Sequence, residues 1–106
     1  MVEVFGADEL PPGEARRVII GGHPVAVFHA DDGWFAIDDT CTHQDASLAE
    51  GYLEGCLVEC PLHASFFDLR TGEVTSPPAK RPVKTYYVEV RDGSVAVDIH
   101  RRRETA

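Results

Sequence analysis

Four side chains that commonly bind metals stand in two short pairs, Cys41-Thr42-His43 and Cys60-Pro61-Leu62-His63, with sixteen residues between the pairs. Thiolate and imidazole groups are ligands for soft or borderline metal ions, and each pair follows a strand-like run of residues. The spacing therefore indicates a metal site built from two loops. Zinc and an iron–sulfur cluster are both possible occupants, and the choice between them decides the function.

The combination of cysteine and histidine within each pair distinguishes a zinc site from an iron–sulfur cluster. A structural zinc site usually has two cysteines at one corner and two histidines at the other. Here each pair is mixed. A [2Fe–2S] cluster with one iron bound by cysteines and the other by histidines needs mixed pairs, if each loop sends its cysteine to one iron and its histidine to the other. The pattern favours the cluster over zinc.

The pairs Cys41-x-His43 and Cys60-x-x-His63 resemble the signature of Rieske [2Fe–2S] proteins. The surrounding chain is similar to the small soluble Rieske ferredoxins that serve bacterial ring-hydroxylating dioxygenases of aromatic compounds. The similarity covers nearly the whole chain and includes further short motifs: Gly33-Trp34-Phe35-Ala36, Phe67-Asp68, Thr71-Gly72, Pro77-Pro78-Ala79 and Asp92-Gly93.

The resemblance implies one Rieske-type [2Fe–2S] cluster, bound by these residues: Cys41, His43, Cys60 and His63. It also implies that Ser65 donates a hydrogen bond to a bridging sulfide. The proline loop at Pro77 and Pro78 is expected to cover one side of the cluster, the alternative being an ordinary connector. Together with Leu62 it is expected to offer a small apolar docking face.

The sequence departs from the wider family at four positions, one of which is Ala64 in place of the glycine usual between His63 and Ser65. Ala46 and Leu62 stand where Rieske proteins of cytochrome complexes carry two further cysteines, so no disulfide is expected to clamp the ligand loops. Phe67 stands where high-potential members have a tyrosine that donates to a ligand sulfur. Hydrogen bonds to sulfur raise the reduction potential, and we therefore expect a potential near the low end of the Rieske range.

The family implies a one-electron carrier between two partners, a flavin-dependent ferredoxin reductase and a terminal Rieske non-haem iron oxygenase acting on aromatic compounds. We find no mononuclear-iron triad, no nucleophile with a base and no nucleotide-binding glycine loop, so the chain is expected to be an electron-transfer component and not an enzyme. Two alternatives stay open: a small Rieske-like subunit of a nitrite reductase complex, and a structural zinc module.

Length and charge limit the organisation and the partners. The 106 residues fit a single domain, 1–106, with a cluster-binding subdomain at about 39–68 and the proline loop at about 76–79. The net charge of −8 argues against nucleic acid and anionic membranes as partners. It suits basic protein partners, and it equally suits a role of the acidic residues in solubility alone. Only Cys56 remains outside the ligand pairs, which fits a reducing compartment. No run is apolar enough to span a membrane and Met1–Val4 begins a strand rather than a signal peptide, so we expect a cytoplasmic protein. We also expect a monomer.

The remaining pattern predicts an all-β, antiparallel Rieske-type sandwich or barrel with a small subdomain of two ligand loops. Hairpin turns are predicted at Gly21-Gly22 and Asp92-Gly93. Residues 6–14 are expected to form a loop without helix, and Arg101–Arg103 a flexible tail. Three other side chains receive non-ligand roles: Cys56 is expected to be buried, while His23 and His29 are expected to be exposed or locally hydrogen-bonded.

Overall fold

The computed structural model describes residues 1–42, 46–61, 65–76 and 81–103, and these contain nine strands in two antiparallel sheets. The strands are β1 Val2–Gly6, β2 Ala15–Ile20, β3 His23–Ala30, β4 Gly33–Asp38, β5 Tyr52–Glu54, β6 Leu57–Glu59, β7 Phe66–Asp68, β8 Thr85–Arg91 and β9 Ser94–Asp98. Six form a barrel-like sheet in the order β1-β9-β8-β4-β3-β2, and three form a small sheet in the order β5-β6-β7. The predicted all-β fold is confirmed. None of the helices in the described ranges is long and apolar enough to cross a bilayer.

The hairpins of the large sheet form at the turns predicted from the sequence. Both residues of Gly21-Gly22 have positive φ, 57° and 80°, as do Asp92 and Gly93 at 51° and 80°. Type I′ turns require this left-handed conformation at both central positions, and their twist matches that of the strands. Local sequence therefore determines the β2–β3 and β8–β9 connections.

Strands β3 and β4 are buried on both faces. On β3, Val25 and Val27 lie in one hydrophobic core, and the alternate residues Ala26 and Phe28 lie in another. A strand that is covered on both sides has no polar face, which explains the continuous apolar run of β3. This hairpin separates the two cores of the molecule.

The first core lies within the large sheet, and the second lies between the β3–β4 hairpin and the small sheet. The first contains Ile20, Val25, Val27, Ala36, Tyr86, Val95 and Val97. The second contains Ala26, Phe28, Ala30, Phe35, Ile37, Cys41, Leu48, Val58, Cys60, Phe67, Leu69 and Val83. The second core therefore connects the large sheet to the segments that carry the predicted ligands.

One segment predicted to lack helix contains a short one. Residues Ala7–Glu9 form a 3₁₀ turn, with the backbone N–H of Gly6 donating to the Glu9 carboxylate at 2.8 Å. The prediction was wrong because it treated Pro11-Pro12 as governing the whole loop. Those prolines come after the turn and remove no hydrogen bond from it.

The prediction of a flexible tail over Arg101–Arg103 and the last residues is wrong for Arg101 and Arg103, and residues 104–106 lie outside the described residues. The carbonyl of Arg101 accepts a hydrogen bond from the backbone N–H of Tyr87 at 2.8 Å, and its guanidinium lies 3.9 Å from the centre of the Tyr87 ring. The guanidinium of Arg103 lies 4.2 Å from the centre of the Phe35 ring. These aromatic partners are distant in sequence, and three consecutive arginines do not reveal them.

Candidate metal centre

The two predicted cysteine ligands lie at the ends of strands and in the same core. Cys41 follows β4 by three residues, and Cys60 directly follows β6. Both are buried, with exposed fractions of 2% and 1%, and neither forms a disulfide. Both pack in the second core together with Phe67 of β7. The fold thus brings to one place two thiols that are separated by eighteen residues in the sequence.

The first ligand loop, the chain from residue 41 to residue 46, is closed by backbone hydrogen bonds between the residues at its two ends. Thr40 and Ser47 form an isolated antiparallel bridge, and the N–H of Cys41 donates to the carbonyl of Ala46 at 3.0 Å. One step further out, the N–H of Leu48 donates to the carbonyl of Asp39 at 2.7 Å. The backbone on either side of residues 42–45 is therefore held at a fixed separation.

A buried carboxylate reinforces this closure. Asp39 is 2% exposed, and its Oδ1 accepts hydrogen bonds from Ser47 Oγ at 2.8 Å and from the N–H of Ala49 at 3.1 Å. Its Oδ2 accepts from Nε of Arg17 on β2 at 3.1 Å. Sequence reasoning missed this residue, because an aspartate followed eight residues later by a serine is not a recognised signal.

The second ligand loop, the chain from residue 60 to residue 65, is also closed by a backbone hydrogen bond between its two ends. The N–H of Cys60 donates to the carbonyl of Ser65 at 2.8 Å, and Ser65 is fully buried. Directly after it, the N–H of Phe66 donates to Ser76 Oγ at 3.2 Å, and the carbonyl of Phe66 accepts from the N–H of Thr75 at 2.8 Å. The segment that leads into the predicted proline loop is therefore paired with β7.

A reciprocal contact joins the first ligand loop to the far side of the predicted proline loop. The hydroxyl of Thr42 donates to the carbonyl of Arg81 at 2.6 Å, and Arg81 Nη2 donates to the carbonyl of Thr42 at 3.4 Å. Thr42 stands between the predicted ligands Cys41 and His43, so this contact bears directly on their loop. The two residues are 39 positions apart, so no pattern among neighbouring residues predicts this contact.

Five of the predicted site residues lie outside the described residues: His43, Leu62, His63, Pro77 and Pro78. The four that the structure describes are all buried: Cys41, Cys60, Ser65 and Phe67. The ligand set and the roles given to the surrounding residues stay predictions.

The described donors fit a metal group of the predicted kind. Cys41 and Cys60 lie in one core, neither is in a disulfide, and the backbone N–H of each donates a hydrogen bond to the far end of its own loop. Thiolate ligands select soft metals such as zinc and the irons of iron–sulfur clusters. The two cysteines are thus of a residue type that suits a soft metal, but the described residues contain no group of three or more histidine, cysteine, aspartate or glutamate side chains placed to hold one. The predicted histidine ligands, which would distinguish the cluster from zinc, lie outside the described residues.

The third cysteine is less buried than predicted. Cys56 is only partly buried, and its Sγ lies 3.3 Å from Asp32 Oδ2, to which it donates. Burial, followed by the hydrogen bond and the charge of Asp32, raises the pKa of the Cys56 thiol. A raised pKa lowers the thiolate fraction, and Cys56 is thus poorly suited to bind a metal or to react as a nucleophile.

The histidines expected to play no part in the site make local contacts. His29 Nδ1 lies 2.7 Å from the carbonyl of Leu10, and its ring stacks on Trp34 with centroids 4.0 Å apart. His23 Nε2 lies 2.7 Å from Asp38 Oδ1. The hydroxyl of Tyr86 donates to the same carboxylate oxygen, and burial together with this bond raises the pKa of Tyr86. The predicted local hydrogen bonding of His23 and His29 is confirmed.

Comparisons with known proteins agree with this geometry. The family model of the Rieske [2Fe-2S] domain matches residues 1–87. The 3-phenylpropionate/cinnamic acid dioxygenase ferredoxin subunit of Photorhabdus laumondii is 48% identical over 97 residues, which are 91% of each chain. A chain in the complex of reduced oxygenase and oxidized ferredoxin of carbazole 1,9a-dioxygenase has a TM-score of 0.86 at 42% identity, covering 92% of this chain and 100% of that one.

The nitrite reductase alternative has a weaker match. A solved structure described as a nitrite reductase NADPH small subunit has a TM-score of 0.79 at 28% identity, covering 91% of this chain and 95% of that one. It shares the fold, but its sequence is less similar than those of the dioxygenase ferredoxins. The comparison therefore leaves nitrite reductase as a distant alternative.

Proposed function

The chain belongs to the Rieske [2Fe-2S] family, and on that premise we propose that it is the ferredoxin component of an aromatic ring-hydroxylating dioxygenase system. The observation that carries the proposal is similarity to ferredoxin subunits along almost the whole chain. The predicted role of an electron-transfer component is confirmed, because the relatives that match this chain along almost their whole length are ferredoxin subunits of dioxygenases and not catalytic subunits.

The proposed cofactor is one [2Fe–2S] cluster, with Cys41 and Cys60 on one iron and His43 and His63 on the other. When bound, such a cluster supplies a site that accepts and releases one electron at a time. The burial of Cys41 and Cys60 in one core supports their half of the ligand set. The two thiolates add two negative charges to the site and the neutral imidazoles add none, so histidine ligation leaves the site less negative than four cysteines would.

The surrounding residues are proposed to shape the site. Ser65 is fully buried beside Cys60, a position that supports its proposed role as a hydrogen-bond donor to a bridging sulfide. Phe67 is also fully buried in the core that holds both cysteines, and its ring has no donor group. The absence of a donor at this position supports a reduction potential near the low end of the Rieske range. Leu62 and Pro77-Pro78 are proposed to cover the cluster.

The proposed partners are a flavin-dependent ferredoxin reductase and a terminal Rieske oxygenase. A carrier that docks, transfers an electron and leaves benefits from charge attraction, which speeds encounter without requiring a tight complex. The net charge of −8 supports docking to basic surfaces. We further propose a cytoplasmic monomer that forms one domain, 1–106, with its cluster-binding subdomain at about 39–68 and the proline loop at about 76–79.

Metal analysis with matched cysteine variants tests the cofactor and its ligands. We expect two irons and two acid-labile sulfides per chain in the purified protein, since that is the content of one [2Fe–2S] cluster. Cys41→Ser and Cys60→Ser should lose the cluster, whereas Cys56→Ser should retain it. A single zinc per chain would contradict the cofactor. His43→Cys or His63→Cys with an unchanged optical spectrum and potential would contradict the histidine ligands.

Reconstitution tests the role. The purified protein is mixed with a candidate reductase and oxygenase from its own genomic neighbourhood, and product formation is measured with and without it. We expect turnover to require the protein and to fall as salt rises, because salt screens attraction between exposed charges. Turnover that proceeds equally well without the protein would refute the proposed role.

A further inference from the structure

Asp39 is the only carboxylate that is buried in the part of the chain that the structure describes. Removing a carboxylate from water is costly unless hydrogen bonds and an opposite charge replace the lost hydration. Here three donors do so: Ser47 Oγ at 2.8 Å, the N–H of Ala49 at 3.1 Å and Arg17 Nε at 3.1 Å. A fully satisfied buried charge of this kind holds its donors in one arrangement.

The positions of these donors indicate what the carboxylate holds. Asp39 lies two residues before Cys41, whereas Ser47 and Ala49 lie after the loop that Cys41 begins. The carboxylate therefore joins the two ends of the first ligand loop. Arg17 comes from β2, so the same carboxylate also ties the loop to an edge strand of the large sheet.

We propose that Asp39 is a positioning residue that, together with Ser47, Ala49 and Arg17, fixes the first ligand loop and so holds Cys41 in the geometry that a bound cluster requires. This inference rests on the proposed function. The described cysteines form no disulfide that could hold the loop instead. The bridge between Thr40 and Ser47 is a single pair, and the carboxylate adds side-chain bonds at the same place.

The contacts of Asp39 differ in strength, and this gives the expected order of its variants. The Arg17 side chain is 51% exposed, so water screens its ion pair with Asp39. Ser47 and Ala49 are less exposed than Arg17, so their hydrogen bonds to the carboxylate are less screened and should contribute more to holding the loop. In Asp39→Asn, the amide oxygen can still accept the hydrogen bonds from Ser47 and Ala49, but the amide N–H₂ faces Arg17 and cannot accept from it. In Asp39→Ala, no acceptor remains for any of the three donors.

The adjacent residue provides a matched control. Asp38 carries the same charge, but its carboxylate contacts Tyr86, His23 and the N–H of Lys84. Asp38→Asn therefore makes the same chemical change one position away without touching the contacts of Asp39. An effect that came only from losing a negative charge near the site would appear in both asparagine variants.

The experiment measures the loaded protein and its variants in two ways. The first is the rate at which visible absorbance is lost in the presence of an iron chelator, with far-UV circular dichroism as a check that the sheets remain folded. The second is the linewidth of the electron paramagnetic resonance spectrum after reduction, which reports how uniformly the ligands are held. Midpoint potentials are measured on the same samples.

We expect Asp39→Ala to lose the cluster about tenfold faster than the wild type, since hydrogen bonds to a charged group are lost. Asp39→Asn should be intermediate and Arg17→Met the mildest, with broadened spectra in the two Asp39 variants. Asp38→Asn should match the wild type in cluster lifetime and linewidth. If Asp39→Ala fails to fold, Asp39→Asn and Ser47→Ala carry the test.

Two results would overturn the inference. The first is that the variants of Asp39, Ser47 and Arg17 all have the cluster lifetime, the spectral linewidth and the midpoint potential of the wild type. The other is an equal shift in Asp38→Asn and Asp39→Asn, which would indicate a charge effect and not a positioning effect. A wild-type protein without iron and sulfide would instead overturn the proposed function and the inference with it, and this outcome is recognisable because it appears before any substitution.

Discussion

Removal of the C-terminal arginines should destabilise the protein measurably. Truncation after His100 deletes the carbonyl that accepts the Tyr87 N–H at 2.8 Å, together with the Arg101 and Arg103 guanidinium groups that lie 3.9 and 4.2 Å from aromatic ring centres. The backbone hydrogen bond is worth about 1 kcal/mol. Each cation–π contact at an exposed site is worth about 0.5–1 kcal/mol. The expected loss of unfolding free energy is therefore about 2–3 kcal/mol.

The assay is thermal unfolding at a fixed scan rate, with hydrogen exchange as a local measurement. For a domain of this size, a loss of about 2 kcal/mol lowers the unfolding temperature by on the order of 10 °C. The amide of Tyr87 should exchange faster, because it loses its partner. Truncation after Arg103 is the matched control, since it shortens the chain but keeps both guanidinium groups. Equal unfolding temperatures and equal Tyr87 exchange in the two truncations would refute the reasoning.

Two other predictions concern a glycine and a tyrosine. Gly51→Ala should cost about 3 kcal/mol of unfolding free energy, the upper end of the range for overpacking, because a Cβ at Gly51 would overlap the backbone carbonyl oxygen of Glu59. Gly55→Ala adds an atom that meets nothing within 4 Å and should cost only about 1–2 kcal/mol of backbone strain. Chemical denaturation measures both costs, and equal or reversed values would contradict the steric argument. The pKa of Tyr86 is raised in the folded state. The contribution of its protonated hydroxyl to the free energy of unfolding is therefore complete below the pKa of the unfolded chain, about 10, and is lost as pH rises above that pKa. At neutral pH, Tyr86→Phe should therefore have a lower free energy of unfolding than the wild type. Between pH 9 and pH 11, roughly the range around the unfolded pKa, the variant should lose less of that free energy than the wild type. Parallel curves of unfolding free energy against pH for the two proteins would contradict this.

Features that depend on neighbouring residues could be predicted from the sequence. The turn at Gly21-Gly22 needs two residues that tolerate positive φ, and the β-rich runs on either side of it leave few other arrangements. The spacing of Cys41 and Cys60 within their motifs predicted a shared site, and both lie in one core. In each case the physical requirement is visible within a few residues.

Features that depend on distant partners could not be predicted. Whether Arg101 is solvated or packed depends on the Tyr87 ring that β8 presents to it. The burial of Asp39 depends on three donors, Ser47 and Ala49 beyond the ligand loop and Arg17, which stands 22 residues earlier in the chain. Charged residues are ordinarily on the surface, so a pattern-based argument assigns them there unless the fold supplies a partner.

The alternation of β3 between two cores has a consequence for insertions and deletions. Shifting the register of this strand by one residue would exchange Val25 and Val27 with Ala26 and Phe28, and each core would receive side chains of the wrong volume. A strand with one solvent-facing side can tolerate a slip by exposing a few apolar groups, but this one has no such side. Length variation among related chains should therefore occur in the surface connections and be absent from the β3–β4 hairpin.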